Sequence, residues 1–401
     1  MLQDRHIRMR EGLPRFAAKL LRGEAVTAAY LGGSITEGAG ASLQDEKSWR
    51  ALNGKYLSER YADCRFTFIN AGVGGTNSTF GAHRLQAHAL SQGEVDLLFV
   101  EFSVNDGEDR EESIRGMEGI VRQCRRLSPE TELCFVYTAA DKNLSDELPF
   151  NIANHEEVAE HYGIASLNLA GGVRDLVRAS VVAWAELAPD RVHPNDEGHA
   201  LYAAYAEQFI EQAVAAVANA VKEEETSTSP VPSEIPNASV VPAPMIRGDV
   251  PVGELPRPLD ARNYEFATMK DIGLDVVSDG FAPARLGPDD PMMNWRFATE
   301  HLAAEGSRGE SLSFALEGRR IGILLLHGPD SGALEYSLDG GKNFTPVDPF
   351  DEWCLLAYRP IQVSFQEQPE RQLQQVIVRC AGTKDERSKG TGIRVMKLLS
   401  S

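Results

Sequence analysis

Apolar residues in the first 222 residues of the chain follow two alternating patterns. Short β-rich runs, such as Val26–Leu31 and Phe66–Asn70, are separated by stretches with apolar residues at helical spacing, such as Ser48–Tyr61. The run Val95–Phe102 is almost wholly apolar, which is typical of a central parallel strand buried on both faces. This alternation predicts a doubly wound α/β fold, in which helices cover both faces of a parallel sheet.

The same order continues to the end of this region. Further strands are predicted over Leu133–Thr138 and Ile164–Leu169. Helices are predicted over Phe80–Leu90, Glu112–Leu127, Ile152–Tyr162, Val173–Ala185 and Glu197–Val221. Because ligands of such sheets bind at the carboxyl ends of the strands, we expect the functional residues in the loops that follow the strands.

The pattern changes twice after this region. Residues 223–259 are rich in proline, serine and threonine, which predicts a semi-extended linker. From residue 260 to 401 short alternating runs dominate, and Asp339-Gly340-Gly341 is a hairpin signal between two of them. We therefore predict three parts: an α/β domain over residues 1–222, a linker over 223–259, and an all-β, jelly-roll-like sandwich over 260–401.

Composition narrows the class of protein. Lys and Arg total 40 against 59 Asp and Glu, so the formal net charge is −19. This charge disfavours nucleic acid and anionic membranes as partners. The first ten residues have no apolar stretch of the secretory type, and no run of 18 apolar residues occurs, so we expect a cytoplasmic protein. The 5 cysteines are widely spaced and include no C-x-x-C, which argues against a disulfide framework or a zinc ribbon.

Two glycine-rich loops follow the first two predicted strands. Gly32-Gly33-Ser34 permits a tight turn that exposes a serine at the edge of the sheet, although by itself it also fits a plain turn or a phosphate cradle. The loop Asn70–Asn77 offers backbone N–H groups for a phosphate or an oxyanion. It lacks the G-x-G-x-x-G spacing of a dinucleotide site.

Polar residues mark two later loops. Asn105 follows the third strand, where it fits either a functional amide or an Asx-turn. Asp190 and His193 are three residues apart, so a turn can bring the carboxylate to one ring nitrogen and leave the other nitrogen for a serine. Asp196 is predicted to cap the last helix. His193 and His199 could in principle bind a metal, but no third ligand stands out at a usual spacing.

The four loops together resemble the SGNH (GDSL-type) hydrolase family. The resemblance rests on Gly32-Gly33-Ser34-Ile35-Thr36, the loop over Asn70–Thr76, Val104-Asn105-Asp106 and Asp190-x-x-His193-Pro194, and it covers roughly residues 24–215. Gly33 stands where the family has Asp, and Ser103 stands where it usually has Gly. The Gly-Gly-Ser-Ile-Thr form resembles that of the carbohydrate acetylesterases.

The resemblance implies a serine hydrolase that needs no metal or organic cofactor. Ser34 would be the nucleophile, His193 the general base, and Asp190 the residue that orients the imidazole. The oxyanion hole would comprise the backbone N–H groups of Ser34 and Gly75 and the side-chain amide of Asn105.

Three functions remain open from the sequence. The first is hydrolysis of short acyl esters, above all acetyl esters, on carbohydrate. The second is a general short-chain carboxylesterase or thioesterase, and the third is a non-catalytic carbohydrate-binding or assembly protein that keeps the fold. Trp295 and Trp353 could stack on sugar rings, although a core or interface position is favoured for both. The C-terminal sandwich could also drive assembly into a homo-oligomer.

Overall fold

The structure, a computed structural model, describes residues 2–227, 255–273, 275–287 and 300–401. The chain divides into two compact units. The first comprises Met1–Gly72, Ala89–Ile114 and Cys124–Ala261, and the second comprises Val73–His88, Arg115–Gln123 and Arg262–Ser401. The second unit thus includes two segments from the first half of the chain. Among the described residues, no helix is both long enough and apolar enough to cross a membrane.

The first unit is built on a six-stranded sheet in the order β1-β6-β5-β4-β2-β3. Strands β2 to β6 are parallel and β1 pairs antiparallel to β6 at the edge. The strands span Ile7–Arg8 (β1), Ala25–Gly32 (β2), Arg65–Gly72 (β3), Leu97–Glu101 (β4), Glu132–Tyr137 (β5) and Ala165–Asn168 (β6). The predicted α/β class is confirmed by this sheet.

The strand register aligns the loops that carry the predicted site. Gly32 at the end of β2 pairs with Gly72 at the end of β3 and with Glu101 at the end of β4. The three central strands therefore end at the same level, as expected for neighbouring parallel strands.

The helices largely follow the predicted pattern. They span Pro14–Arg22 (α1), Ser34–Glu37 (α2), Gln44–Lys47 (α3), Trp49–Arg60 (α4), Ser78–His88 (α5), Arg110–Leu127 (α6), Phe150–His161 (α7), Leu169–Arg178 (α8), Trp184–Leu187 (α9) and Asp196–Ser227 (α10). The single helix predicted over Val173–Ala185 is wrong, because α8 ends at Arg178 and Ser180 adopts a positive φ of 54°. Helix α10 continues to Ser227, and residues 228–254 of the predicted linker lie outside the described residues.

Helix α1 was not predicted, although its ends carry ordinary signals. Pro14 occupies its first turn, and Gly23 closes it in the left-handed conformation with φ 69°. Proline at the start and glycine just past the end are the residues that helices favour at those positions.

The C-terminal part of the second unit consists of two antiparallel sheets. One has the order β15-β12-β17-β10-β9, with β7 also paired to β17, and the other has the order β14-β13-β16-β11-β8. The strands span Thr268–Lys270 (β7), Val277–Asp279 (β8), Ala282–Arg285 (β9), Glu300–Ala304 (β10), Ser311–Gly318 (β11), Ile321–His327 (β12), Leu334–Ser337 (β13), Thr345–Val347 (β14), Arg359–Ser364 (β15), Gln372–Cys380 (β16) and Ile393–Ser400 (β17). Buried apolar residues from both sheets form one core, so the predicted sandwich is confirmed.

Helix α5 and the segment Arg115–Gln123 of α6 belong to the second unit and pack within it. Val73 and Phe80 share a buried apolar cluster with residues of the sandwich, namely Leu286, Leu324, Leu326, Met396 and Leu399. The Nδ1 atom of His83 in α5 lies 3.1 Å from the Thr268 carbonyl oxygen. The Gln123 amide of α6 donates to the carbonyls of Ala82 and Ala267. The β-sandwich therefore contributes to the packing of α5 and of the Arg115–Gln123 segment of α6.

Candidate active site

Three predicted side chains of the first unit form a hydrogen-bonded chain. The Ser34 Oγ lies 2.8 Å from His193 Nε2, and His193 Nδ1 lies 2.6 Å from Asp190 Oδ2. Because Nδ1 donates its proton to the carboxylate, Nε2 is left as the acceptor for the serine hydroxyl. This arrangement can accept a proton from Ser34 and stabilise the imidazolium that results.

The turn that carries Asp190 and His193 is held by its own backbone. Asp190 Oδ1 accepts the N–H groups of Val192 at 3.0 Å and His193 at 2.7 Å. Burial by itself would raise the pKa of Asp190, but these bonds and the bond to the imidazole outweigh it and hold the pKa below its usual value. The carboxylate therefore stays ionised in the presence of the ring.

Helix α10 begins directly after this turn and is capped by a residue other than the one predicted. The helix starts at Asp196, and it is the Asn195 Oδ1 that accepts the N–H of Gly198, at 3.0 Å. Asp196 instead accepts the Ser42 N–H and hydroxyl, both at 2.7 Å, and pairs with Lys47. The prediction that Asp196 caps the helix is therefore wrong.

His199 has a structural environment that differs from that of His193. Its Nδ1 accepts the backbone N–H of Trp49 at 3.1 Å, so the ring donates from Nε2 to the Ala39 carbonyl at 3.0 Å. Burial lowers the pKa of His199 to about 4. Both ring nitrogens are thus engaged with the backbone, and a neutral His199 connects α10 to the chain that follows Ser34.

Asn105 lies directly against the turn that carries Ser34. A Cβ atom built on Gly33 would lie 2.0 Å from the Asn105 Oδ1 and 2.8 Å from its Cγ. The backbone of Gly33 has φ −83°, which other residues adopt freely, so the glycine is required by the approach of Asn105. The SGNH hydrolases that this chain resembles have Asp at this position, and the close approach of Asn105 explains why this chain has Gly33.

Glu101, which is not among the predicted site residues, lies beneath the same turn. It ends β4 with an exposed fraction of only 1% and accepts the hydroxyls of Thr138 at 2.7 Å and Thr36 at 3.1 Å. Burial raises the pKa of Glu101, while bonds from these hydroxyls and from the Gly33 N–H oppose the shift. The sequence signal that could have indicated Glu101 is its position directly after the apolar residues of β4. A carboxylate is unfavourable to bury unless it is hydrogen-bonded.

Gly75 belongs to the second unit and sits in the loop before α5. It has a φ of 70°, in the left-handed region that favours glycine. The loop is closed by the Thr76 hydroxyl, which donates to the Val73 carbonyl at 2.7 Å and accepts from the Arg84 guanidinium at 3.3 Å. Arg359 of β15 donates to the Gly75 carbonyl at 3.1 Å.

Two tryptophans, Trp295 and Trp353, are candidates for stacking on sugar rings, and the structure describes one of them. Trp353 lies on the 3₁₀ turn Glu352–Leu355 of the second unit with an exposed fraction of 50%, so it is not a core residue of that unit. Trp295 lies outside the described residues.

Comparison with known proteins covers the sequence of residues 30–201 and the fold of the chain. Residues 30–201 match the sequence model of the GDSL-like Lipase/Acylhydrolase family. These residues form a GDSL-like lipase/acylhydrolase domain. The matched range of this GDSL-like domain includes Ser34, Gly75, Asn105, Asp190 and His193. A search of curated proteins finds no match.

Solved structures match the whole chain. A two-domain esterase (CEX) active on acetylated mannans is 24% identical, with a TM-score of 0.78, and the match covers 99% of this chain and 98% of that one. The same esterase co-crystallised with mannopentaose is also 24% identical, with a TM-score of 0.75 and coverage of 96% and 92%. The fold of a GDSL-like domain followed by a β-sheet domain is therefore shared with these structures.

Proposed function

We propose that the protein is a serine esterase that removes acetyl groups from carbohydrate. The hydrogen-bonded chain from Ser34 through His193 to Asp190, with distances of 2.8 and 2.6 Å, carries the proposal. Such a chain is what converts a weakly nucleophilic hydroxyl into one that attacks an ester carbonyl. The match of this region to an acylhydrolase family supports the same class of reaction.

In the proposed reaction Ser34 Oγ attacks the ester carbonyl carbon while its proton passes to His193 Nε2. The carbonyl oxygen becomes an oxyanion, which would be stabilised by the N–H groups of Ser34 and Gly75 and by the Asn105 amide. When the tetrahedral intermediate collapses, the bond to the leaving sugar hydroxyl breaks and His193 returns the proton to that oxygen. Water then attacks the acyl-serine by the same route in reverse, releasing acetate and the free serine.

The carbohydrate part of the proposal has separate support. The solved structures that match over the whole chain belong to an esterase active on acetylated mannans. Trp353 presents an aromatic ring with an exposed fraction of 50%, a surface suited to packing against a sugar ring. A net charge of −19 is compatible with a neutral acetylated sugar and disfavours a polyanionic one.

Substitution of the proposed nucleophile tests the reaction. Ser34→Ala should abolish hydrolysis of p-nitrophenyl acetate and covalent labelling by a fluorophosphonate, because both require the serine oxygen. Its unfolding temperature should match that of the parent protein. Ser128→Ala, which changes a serine at the end of α6, is a control that should keep full activity. If purified Ser34→Ala hydrolysed the ester at the parent rate, the proposal would fail.

A substrate panel separates the remaining functions. Acetylated manno- and xylo-oligosaccharides, p-nitrophenyl esters of increasing chain length and acyl-CoA should rank with the acetylated sugars first. A preference for octanoyl or longer chains would exclude the acetylesterase, and preference for acyl-CoA would indicate a thioesterase. A protein that neither reacts with the fluorophosphonate nor hydrolyses any ester would be a non-catalytic relative.

A further inference from the structure

The glycine loop over residues 73–77 is fixed at both ends within the second unit. Val73 is buried in the apolar cluster of that unit, and its carbonyl accepts the Thr76 hydroxyl at 2.7 Å. Asn77 Oδ1 accepts the N–H of Phe80 at 3.0 Å at the start of α5. Between these ends the chain passes through Gly74 and Gly75, which have no side chains of their own to anchor the backbone.

The Arg359 guanidinium supplies an anchor at this point. Its Nη2 donates to the Gly75 carbonyl at 3.1 Å. A Cβ atom built on Gly75 would lie 3.2 Å from Nη2 and 3.3 Å from Nε, so the guanidinium lies directly against the glycine. Gly75 thus serves two purposes: it adopts a φ of 70°, and it leaves room for the arginine.

The guanidinium is itself held in place. Arg359 begins β15, where it pairs with His327 of β12, and its side chain is only 19% exposed. It forms an ion pair with Asp351, whose Oδ1 accepts the N–H of Cys354 at 3.1 Å. Burial by itself would raise the pKa of Asp351, but the charge of Arg359 and these hydrogen bonds hold that pKa below its usual value. Charge-assisted pairs of this kind preorganise the planar donor of an arginine.

We propose that Arg359 is a positioning residue for the oxyanion hole, acting through the backbone of Gly75. The Gly75 carbonyl belongs to the peptide group that joins Gly75 to Thr76, and the Gly75 N–H to the one that joins Gly74 to Gly75. Because the loop is also held at Val73, a bond to the carbonyl restricts rotation between these two peptide groups and so the direction of the Gly75 N–H. An oxyanion donor is effective only when it is oriented before the charge develops. Arg359 has no contact with the reacting atoms in this role. The inference rests on the proposed serine esterase, in which the Gly75 N–H is an oxyanion donor.

Replacement of the arginine tests the inference. Arg359→Met keeps the apolar stem and removes both the donor and the charge. We expect kcat for p-nitrophenyl acetate to fall about 10- to 100-fold, less than the 10²–10³-fold typical of deleting an oxyanion donor. The second-order rate of fluorophosphonate labelling should fall in parallel, because the phosphonyl oxygen takes the place of the oxyanion. KM and the unfolding temperature should stay at parent values, and Arg359→Lys should recover part of the loss.

A matched control is Arg379→Met in the same sandwich. Arg379 pairs with Glu335 as Arg359 pairs with Asp351, but it lies on β16 and contacts the Phe344 ring instead of the glycine loop. It should keep the parent kcat and labelling rate. A purely structural role for Arg359 would instead leave the labelling rate of each active molecule unchanged while lowering the number of active sites in a titration.

The outcomes separate this inference from the proposed function. Parent rates of turnover and labelling in Arg359→Met would overturn the role of Arg359, as would a loss explained by fewer active sites. If Ser34→Ala remained active or labelled, the proposed function itself would fail. An inactive Ser34→Ala together with a fully active Arg359→Met would remove only the inference about Arg359.

Discussion

Two loops of the molecule reach their geometry by opposite means. The turn of Asp190 and His193 is held by contacts within four residues: Asp190 accepts the N–H groups of Val192 and His193 and the imidazole of His193. The glycine loop around Gly75 also has local bonds at Thr76 and Asn77, but its Gly75 carbonyl accepts from Arg359, which is 284 residues away. The contacts between Asp190 and His193 form within four consecutive residues, whereas the contact at Gly75 requires a residue from the second half of the chain.

The difference has a thermodynamic side. The four-residue turn from Asp190 to His193 loses little additional conformational entropy when its side chains form hydrogen bonds, because its ends are already close. A contact across hundreds of residues forms only when the whole unit has folded, so its geometry depends on the packing of the β-sandwich. Damage to the sandwich should therefore affect the glycine loop and leave the Asp190–His193 turn unchanged.

The largest expected effect comes from the local turn. Asp190→Asn keeps an oxygen for the N–H groups of Val192 and His193, so the turn should persist. Its amide no longer favours a proton on His193 Nδ1, and the tautomer needed to accept the serine proton is lost. We expect kcat to fall on the order of 10³–10⁴-fold with little change in the unfolding temperature.

The matched control for this variant is Asp196→Asn. Asp196 is a nearby carboxylate that bonds Ser42 and Lys47. The Asp196→Asn variant should therefore keep kcat close to the parent value. If Asp190→Asn behaved like this control, the hydrogen bond between Asp190 and His193 would have no part in turnover.

The local turn is also the part of the site that the sequence makes most visible. Asp190 and His193 are three residues apart, and that spacing predicts the observed contact of carboxylate and ring. The strands are similarly local in origin, because Val95–Phe102 is almost wholly apolar and includes the buried strand Leu97–Glu101. Patterns over a few residues were sufficient for these features.

A smaller effect is expected where two loops of the first unit meet. Gly33→Ala would place a Cβ 2.0 Å from the Asn105 Oδ1, and the amide must move away because the backbone on both sides is fixed in the turn. Displacing a donor should cost no more than removing it, so kcat should approach that of Asn105→Ala, at most about 10²–10³-fold below the parent. KM should be nearly unchanged in both variants.

Gly107→Ala is the control for a methyl group in the neighbouring loop. A Cβ built on Gly107 meets no atom within 4 Å. It should leave kcat at the parent value. Parent activity in Gly33→Ala would show that the position of the Asn105 amide has no influence on the reaction.

The contacts between residues distant in the chain could not be predicted from the sequence. Nothing near Arg359 in the sequence distinguishes it from the other arginines of the sandwich, and Glu101 was not among the predicted site residues. Both acquire their partners from the topology: Glu101 because β2 and β4 are neighbours, Arg359 because the second unit includes the segment Val73–His88. The predicted helix over Val173–Ala185 failed for a different reason. It is interrupted at Ser180 by a positive φ, a backbone conformation that the spacing of apolar residues does not indicate.

The smallest expected effect concerns the side chain that closes the glycine loop. Thr76→Val keeps the shape of the buried residue but removes the hydroxyl that joins the Val73 carbonyl to Arg84. One such hydrogen bond contributes about 0.5–1.5 kcal/mol, so kcat should fall by no more than about tenfold. Thr76→Ser restores the hydroxyl and should restore kcat. If Thr76→Val and Thr76→Ser were equally active, the conformation of the loop would not depend on this bond, and the contrast with the self-contained turn of Asp190 would rest on Arg359 alone.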